Sequence, residues 1–179
     1  EDLFAPVIDS ARNRWPWLVF NLPAATEISR VFCALAPPVA QPISVAALMP
    51  IVASIGGNTG NQTAALVIRG LALEQIVASS LWLVVRKELA IAGVNGLLWG
   101  SVVALAAMLF YRQPALSLVM GIAVAANLLI ASLAGVFIPV ALKQAGRDPV
   151  LGSSVLLTFV TDAMGFLVFL GLAAWWIVG

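Results

Sequence analysis

The sequence contains no histidine, and Cys33 is the single cysteine among its 179 residues. The first absence excludes a Ser-His-Asp triad, an HExxH zinc site and His-ligated haem. The second excludes an internal disulfide and a CxxC metal site. Cys33 lies in an apolar run and reads as a small packing residue. Charge is nearly as scarce, since Asp, Glu, Lys and Arg make up 9% of the chain where soluble domains carry about 25%. The nine Lys and Arg occur singly or in pairs and leave a net charge of +1, which is no nucleic-acid footprint. No nucleophile constellation is recognisable, so an enzyme is the weakest reading.

What fills the chain instead is apolar. Hydrophobic residues make up 62%, and the mean hydropathy is +1.06. A soluble fold of this size would expose more apolar surface than water tolerates. The fold class is therefore all-α and integral to the lipid bilayer. The apolar runs are too long, and alternate too little, for barrel strands. The chain opens on Glu1 rather than Met and is expected to be a piece of something longer. No signal peptide is visible: Pro16 and Pro23 interrupt the first apolar run, and further spans follow it.

A span needs about 20 residues of low charge, and the charges mark out five. The first runs from Trp15 to about Ala36 and holds Glu27 and Arg30. Pro37, Pro38 and Pro42 end it and make a turn. The second runs from about Ser44 to Leu73, the third from Leu89 to Tyr111, the fourth from Pro114 to Leu142 and the fifth from Pro149 to Val178. Residues 1–14 form a cytoplasmic juxtamembrane segment, and residues 15–179 a five-helix transmembrane domain. With the N-terminus in the cytoplasm, Arg12, Arg14, Arg69, Arg86, Lys87, Lys143 and Arg147 all fall inside, and Arg112 alone falls in an outer loop. That bias places the C-terminus outside. Trp15, Trp17, Trp175 and Trp176 sit near span ends as interfacial anchors.

The spans carry faces for close packing. Ala92, Gly96, Gly100 and Ala104 recur every four residues in the third, and Ala123, Asn127, Ala131 and Gly135 do so in the fourth. Such stripes read as helix contacts, with Asn127 bonding another helix rather than a ligand. No internal repeat is visible, and five spans are few for a rocking transporter built from repeats. A pathway would need a second copy of the chain.

Two features could carry chemistry. Asp162 lies thirteen residues past Pro149, roughly 20 Å into its helix at 1.5 Å per residue, near mid-membrane. A carboxylate there costs about 2.5–3.5 kcal/mol on insertion scales and faces an interior or a water-filled path. Thr158, Asp162 and Gly165 share a helix face, with Thr161 beside them. The bland alternative is an Asp that is protonated or paired with a basic residue of another helix. The basic residue inside a span is Arg30, which has Glu27 three residues away. That pair either neutralises itself along one helix or lines an outer vestibule.

The second feature is the run Gly56-Gly57-Asn58-Thr59-Gly60-Asn61-Gln62-Thr63 within the second span. Glycine costs about 1 kcal/mol in a helix interior, so the helix is expected to kink or open here. Opened backbone at membrane depth must be buried in protein or line water. The alternative is a tight helix crossing. A phosphate loop is a poor fit, because no Lys-Ser/Thr follows and no strand precedes. Oxygen ligands, one carboxylate, and neither thiol nor imidazole suit hard cations. The residues alone stop at a hard-cation path and do not separate Mg²⁺ from Na⁺, Ca²⁺ or H⁺.

The stretch Pro50-Ile-Val-Ala-Ser-Ile-Gly-Gly-Asn-Thr-Gly-Asn-Gln62, followed by Ile68-Arg-Gly-Leu-Ala-Leu73, resembles the second-span motif of the MgtE family of magnesium channels. Asp148-Pro149, followed by Thr161-Asp162-Ala-Met-Gly165, resembles that family's last span. The resemblance covers essentially the whole chain. It implies a five-helix domain that forms a homodimer, with a Mg²⁺ pore on the two-fold axis. Asp162 matches the family's intramembrane ion-binding aspartate. Thr158 matches a position whose carbonyl faces the ion, and Ser154 matches a polar position nearer the cytoplasmic mouth. Two Asp162 carboxylates would hold Mg²⁺ through its water shell, carbonyls near Thr158 and the Gly57–Asn58 kink would complete the outer shell, and Thr161 counts with them among the metal-site residues. Family members usually carry a cytoplasmic N-terminal domain and a CBS pair; this chain has only a short segment ahead of Arg12, so those regulatory domains are expected to be absent from it. The rival readings are a proton- or sodium-coupled exchanger with Asp162 as the titrating carrier, and a non-transporting assembly subunit that docks through its small-residue stripes.

Overall fold

The computed structural model describes residues 42–76 and 80–178. The juxtamembrane segment, the first span with Glu27 and Arg30, and Cys33 lie outside the described residues. Among the described residues four helices follow in order: α1 (Pro42–Ala72), α2 (Leu81–Tyr111), α3 (Pro114–Gln144) and α4 (Pro149–Ala173), the last continuing into a π-helical turn, Ala174–Val178. Among the described residues there is no strand. In a bilayer every backbone polar group must be satisfied within the segment, and helices do this.

The ends are set by local chemistry. Pro114 and Pro149 stand in the first turns of α3 and α4, where a missing N–H is no loss. Asp148 caps α4 by accepting a hydrogen bond from Val150 N–H at 2.8 Å. Arg112 closes α2 in the left-handed region, at φ 53°. Gly146, at φ +67°, turns the chain out of α3, and Arg147 N–H donates to Leu142 O at 2.9 Å across that turn. Lys143 Nζ reaches back from α3 and donates to Leu71 O at 2.9 Å. A cation at the C-terminal end of α1 also suits its dipole.

Among the described residues three helices are long and apolar enough to cross a membrane: α2, α3 and α4 with its extension. α1 has the length, and its middle carries the polar run. The 31-residue helices are about 46 Å long at 1.5 Å per residue and outreach a hydrocarbon core of about 30 Å. α2 accordingly begins eight residues before the expected third span. Arg86, Lys87 and Glu88 are good helix formers and extend the helix beyond the apolar band that the hydropathy marks.

α3 is the hub. It packs against each of the other three helices, and α1 packs against α4 as well. One core joins Val52 of α1, Val119, Met120, Val124 and Leu128 of α3, and Phe169 and Leu170 of α4. A second joins Val67 and Leu71 of α1 with Val85 of α2 and Val136 of α3. The small-residue faces serve as contacts, and α3 uses two of them. Its Gly121 and Ala125 meet α2: a Cβ on Gly100 would lie 2.7 Å from Gly121 O, and one on Gly96 would lie 3.3 Å from Ala125 Cα. Its Asn127, Ala131 and Gly135 meet α1, where a Cβ on Gly135 would lie 2.7 Å from Gly60 O.

The crossing of α2 and α3 predicts an asymmetry between two glycines of one helix. Gly100→Val must push α3 away and should destabilise by about 1–3 kcal/mol, as overpacking does. Gly93→Ala meets nothing within 4 Å and should be neutral or slightly stabilising. Thermal unfolding in one mild detergent checks both.

Candidate functional site

The polar run of α1 does not open the helix. α1 is continuous from Pro42 to Ala72, and Asn61 Nδ2 donates to Gly57 O at 2.9 Å within it. The expected kink that would free carbonyls near Gly57 and Asn58 is thus replaced by a closed helix with a close crossing. The cause is packing: a Cβ on Gly60 would lie 2.9 Å from Leu157 Cδ2 and 3.2 Å from Ala131 O, and one on Gly57 would lie 3.6 Å from Thr161 Oγ1. The glycines let α1 lie against α3 and α4 together.

Gly57 beside Thr161 and Gly60 beside Leu157 fix an antiparallel register between α1 and α4. On α1, Ser54, Asn58, Asn61 and Gln62 are exposed. On α4, Ser154 and Thr158 are exposed and Asp162 is half-buried, at successive i, i+4 positions of one face. The register sets Thr158 and Asp162 on either side of the level of Asn58. The four expected residues Ser154, Thr158, Asp162 and Asn58 therefore belong to one polar surface shared by the two helices. Gly57 sits at its seam.

Thr161 is different. It is fully buried, and its Oγ1 donates to Leu157 O at 2.9 Å and to Thr158 O at 3.3 Å. Its hydroxyl is turned into the helix rather than toward the polar surface. Thr158 Oγ1 in turn donates to Ser154 O at 2.9 Å. Among the described residues the Asp162 side chain makes no hydrogen bond and no ion pair. Nor do three Asp, Glu, His or Cys side chains come together, so Asp162 is not part of a carboxylate cluster within the described chain. With α4 helical from Pro149, Asp162 stands roughly 20 Å from the helix start.

Other polar contacts bind the helices to one another. Asn127 Nδ2 donates to Val52 O at 2.9 Å, so Asn127 bonds another helix as its sequence context indicated. The sequence reasoning missed Glu88, whose Oε2 accepts from Thr63 Oγ1 at 2.8 Å and ties α2 to α1. Its neighbours Arg86 and Lys87 made it look like a boundary. The available signal was its place one residue ahead of a long apolar run. Thr63→Val deletes the donor to a partly buried carboxylate and should lower stability by about 1–2 kcal/mol, with Glu88→Gln milder than Glu88→Ala. Chemical or thermal unfolding of the three variants in the same detergent tests the order.

A family model described as a divalent cation transporter, MgtE, matches residues 49–172. Relatives named magnesium transporter MgtE align over most of the chain. The one from Thermus thermophilus is 29% identical over 157 residues, which is 88% of this chain and 35% of that protein. The one from Bacillus subtilis is 26% identical over 164 residues, covering 92% and 36%. The one from Enterococcus faecalis is 23% identical over 174 residues, covering 97% and 38%. The chain spans a little over a third of the length of these curated relatives.

Proposed function

The chain belongs to the MgtE family of divalent cation transporters, a family of transporters rather than enzymes, and we propose that it supplies the transmembrane part of a Mg²⁺ channel with Asp162 as its ion-facing carboxylate. The observation that carries this reading is the exposed polar surface of α1 and α4, with a mid-helix carboxylate that has no partner among the described residues. Lipid does not accept such a surface, and intramembrane carboxylates face a bundle interior or water. A second copy of the chain, related by a two-fold axis, would cover it and enclose a path. The relatives named magnesium transporters support Mg²⁺ as the cargo.

Mg²⁺ gives up its inner waters reluctantly. Two Asp162 carboxylates, one per subunit, attract the hydrated ion through its water shell and release it quickly. Thr158, Ser154 and Asn58 offer further oxygen and amide groups to that shell, and selectivity follows the size and geometry of the hydrated ion. Thr161 and Gly57 keep the two lining helices in contact. The basic residues support an orientation too: Arg69, Arg86, Lys87, Lys143 and Arg147 gather at the helix ends opposite Arg112, so the former end is cytoplasmic.

Asp162→Asn preserves size and hydrogen bonding to water and removes two charges from a dimer. Reconstituted in liposomes, it should fold, lose most Mg²⁺ flux and discriminate less against Ca²⁺ and Na⁺, with Asp162→Ala more severe. Undiminished, selective Mg²⁺ flux in Asp162→Asn removes the carboxylate from the mechanism, and flux that saturates and follows an imposed pH gradient points to an exchanger. Cobalt hexammine, which keeps its ligands, should compete with Mg²⁺ at an outer-sphere site.

The orientation has its own test. On a Cys33→Ala background, a cysteine at Arg147 should react with a membrane-impermeant thiol reagent from the cytoplasmic side and one at Arg112 from the outer side. The reverse pattern would overturn the topology.

A further inference from the structure

α3 delivers one amide to the place where α1 and α4 approach each other. Asn127 is fully buried. Its Nδ2 donates to Val52 O at 2.9 Å, and its Oδ1 has no partner among the described residues. The amide lies between two glycines. A Cβ on Gly165 of α4 would stand 2.8 Å from Nδ2, and a Cβ on Gly56 of α1 would overlap that atom outright. Neither helix can close on α3 here without displacing the amide.

These glycines adjoin the polar surface. Gly56 precedes Gly57, the residue seated on Thr161. Gly165 is one turn beyond Thr161 and Asp162. We propose that Asn127 is a positioning residue: its amide is the spacer that sets the separation between the Asn58 side of α1 and the Asp162 side of α4, and through it the discrimination among divalent cations. The proposal rests on the pore reading above.

Simple adhesion between helices does not account for this amide. An adhesive Asn in a membrane bundle spends its polar atoms on partners, and here the carbonyl oxygen has none among the described residues. What the group supplies is a rigid, planar body. Its bond to Val52 O holds the amide in place, and Gly56 and Gly165, which lack side chains, leave room for its nitrogen. An apolar side chain of similar volume would have no such bond and could take other rotamers. The distance between α1 and α4 is thereby tied to a single rotamer on a third helix that does not itself carry the polar surface.

The spacer makes a compensation testable in the full chain reconstituted in liposomes, by comparing initial Mg²⁺ and Ca²⁺ fluxes. Gly165→Ala drives α4 off the amide and should change the Mg²⁺-to-Ca²⁺ flux ratio roughly fivefold or more, a coupling of ordinary size for touching residues. Asn127→Ala lets the helices close and should also shift the ratio. The double variant should bring it back to within about twofold, because the new methyl occupies space the amide has left. Asn127→Ser serves in place of Asn127→Ala where the latter yields no folded protein, with the same shift expected. Melting temperatures are measured alongside. Lower melting temperatures with an unmoved flux ratio, or shifts that merely add in the double variant, overturn the proposal. Asp162→Asn run in parallel separates the two ideas. Normal Mg²⁺ flux there sinks the pore reading itself, whereas loss of flux there with unmoved Asn127 and Gly165 ratios sinks the spacer alone.

Discussion

Helices in lipid gain nothing from expelling water, because lipid tails are as apolar as leucine. The bundle therefore depends on how closely backbones can approach, and that dependence concentrates on α3. Gly135 lets the backbone of α1 come against it at Gly60, and Gly121 lets α2 do so at Gly100. These are contacts of van der Waals type, each small and effective only at short range. The register of α1 against α4, and with it the composition of the polar surface, follows from where α1 can sit on α3.

The polar groups are divided by the same constraint. Those that face other helices, Thr161 and the pair Thr63 and Glu88, are largely consumed by bonds within the bundle, and Asn127 spends its amide nitrogen on Val52 O. Those that face outward, Ser154, Thr158, Asp162, Asn58, Asn61 and Gln62, retain capacity for water or an ion. A membrane protein has no reason to keep the second set unless something polar meets it.

Much of this could be read from residue spacing, and what could not has identifiable causes. Proline and charge punctuate the chain, so the starts of α3 and α4 at Pro114 and Pro149 were legible. The start of α2 was not, because hydropathy reports the edge of the apolar band and Arg86, Lys87 and Glu88 prolong the helix past it. That Thr158 and Asp162 share a face follows from helical periodicity, whereas Ser154 entered through the family resemblance. Their neighbours on α1 do not follow from periodicity, since inter-helix register is a tertiary property. Thr161 stands next to Asp162 in sequence, yet a rotation of about 100° per residue turns it inward. The polar run of α1 invited an opened helix on propensity grounds. Propensity is a weak prior that tertiary context overrides, and here the glycines answer the need for close approach at Gly56 and Gly60.

The closed helix at Gly57 and Asn58 has a mechanical consequence. Carbonyls held in an i to i−4 ladder cannot swing toward a passing solute, so the groups able to follow it are the ends of Asn58, Asn61 and Gln62 and the carboxylate of Asp162. These ride on rotatable bonds and yield under load. On the pore reading proposed above, a solute would meet side-chain ends that adjust to it, while the closed helices behind them hold their spacing.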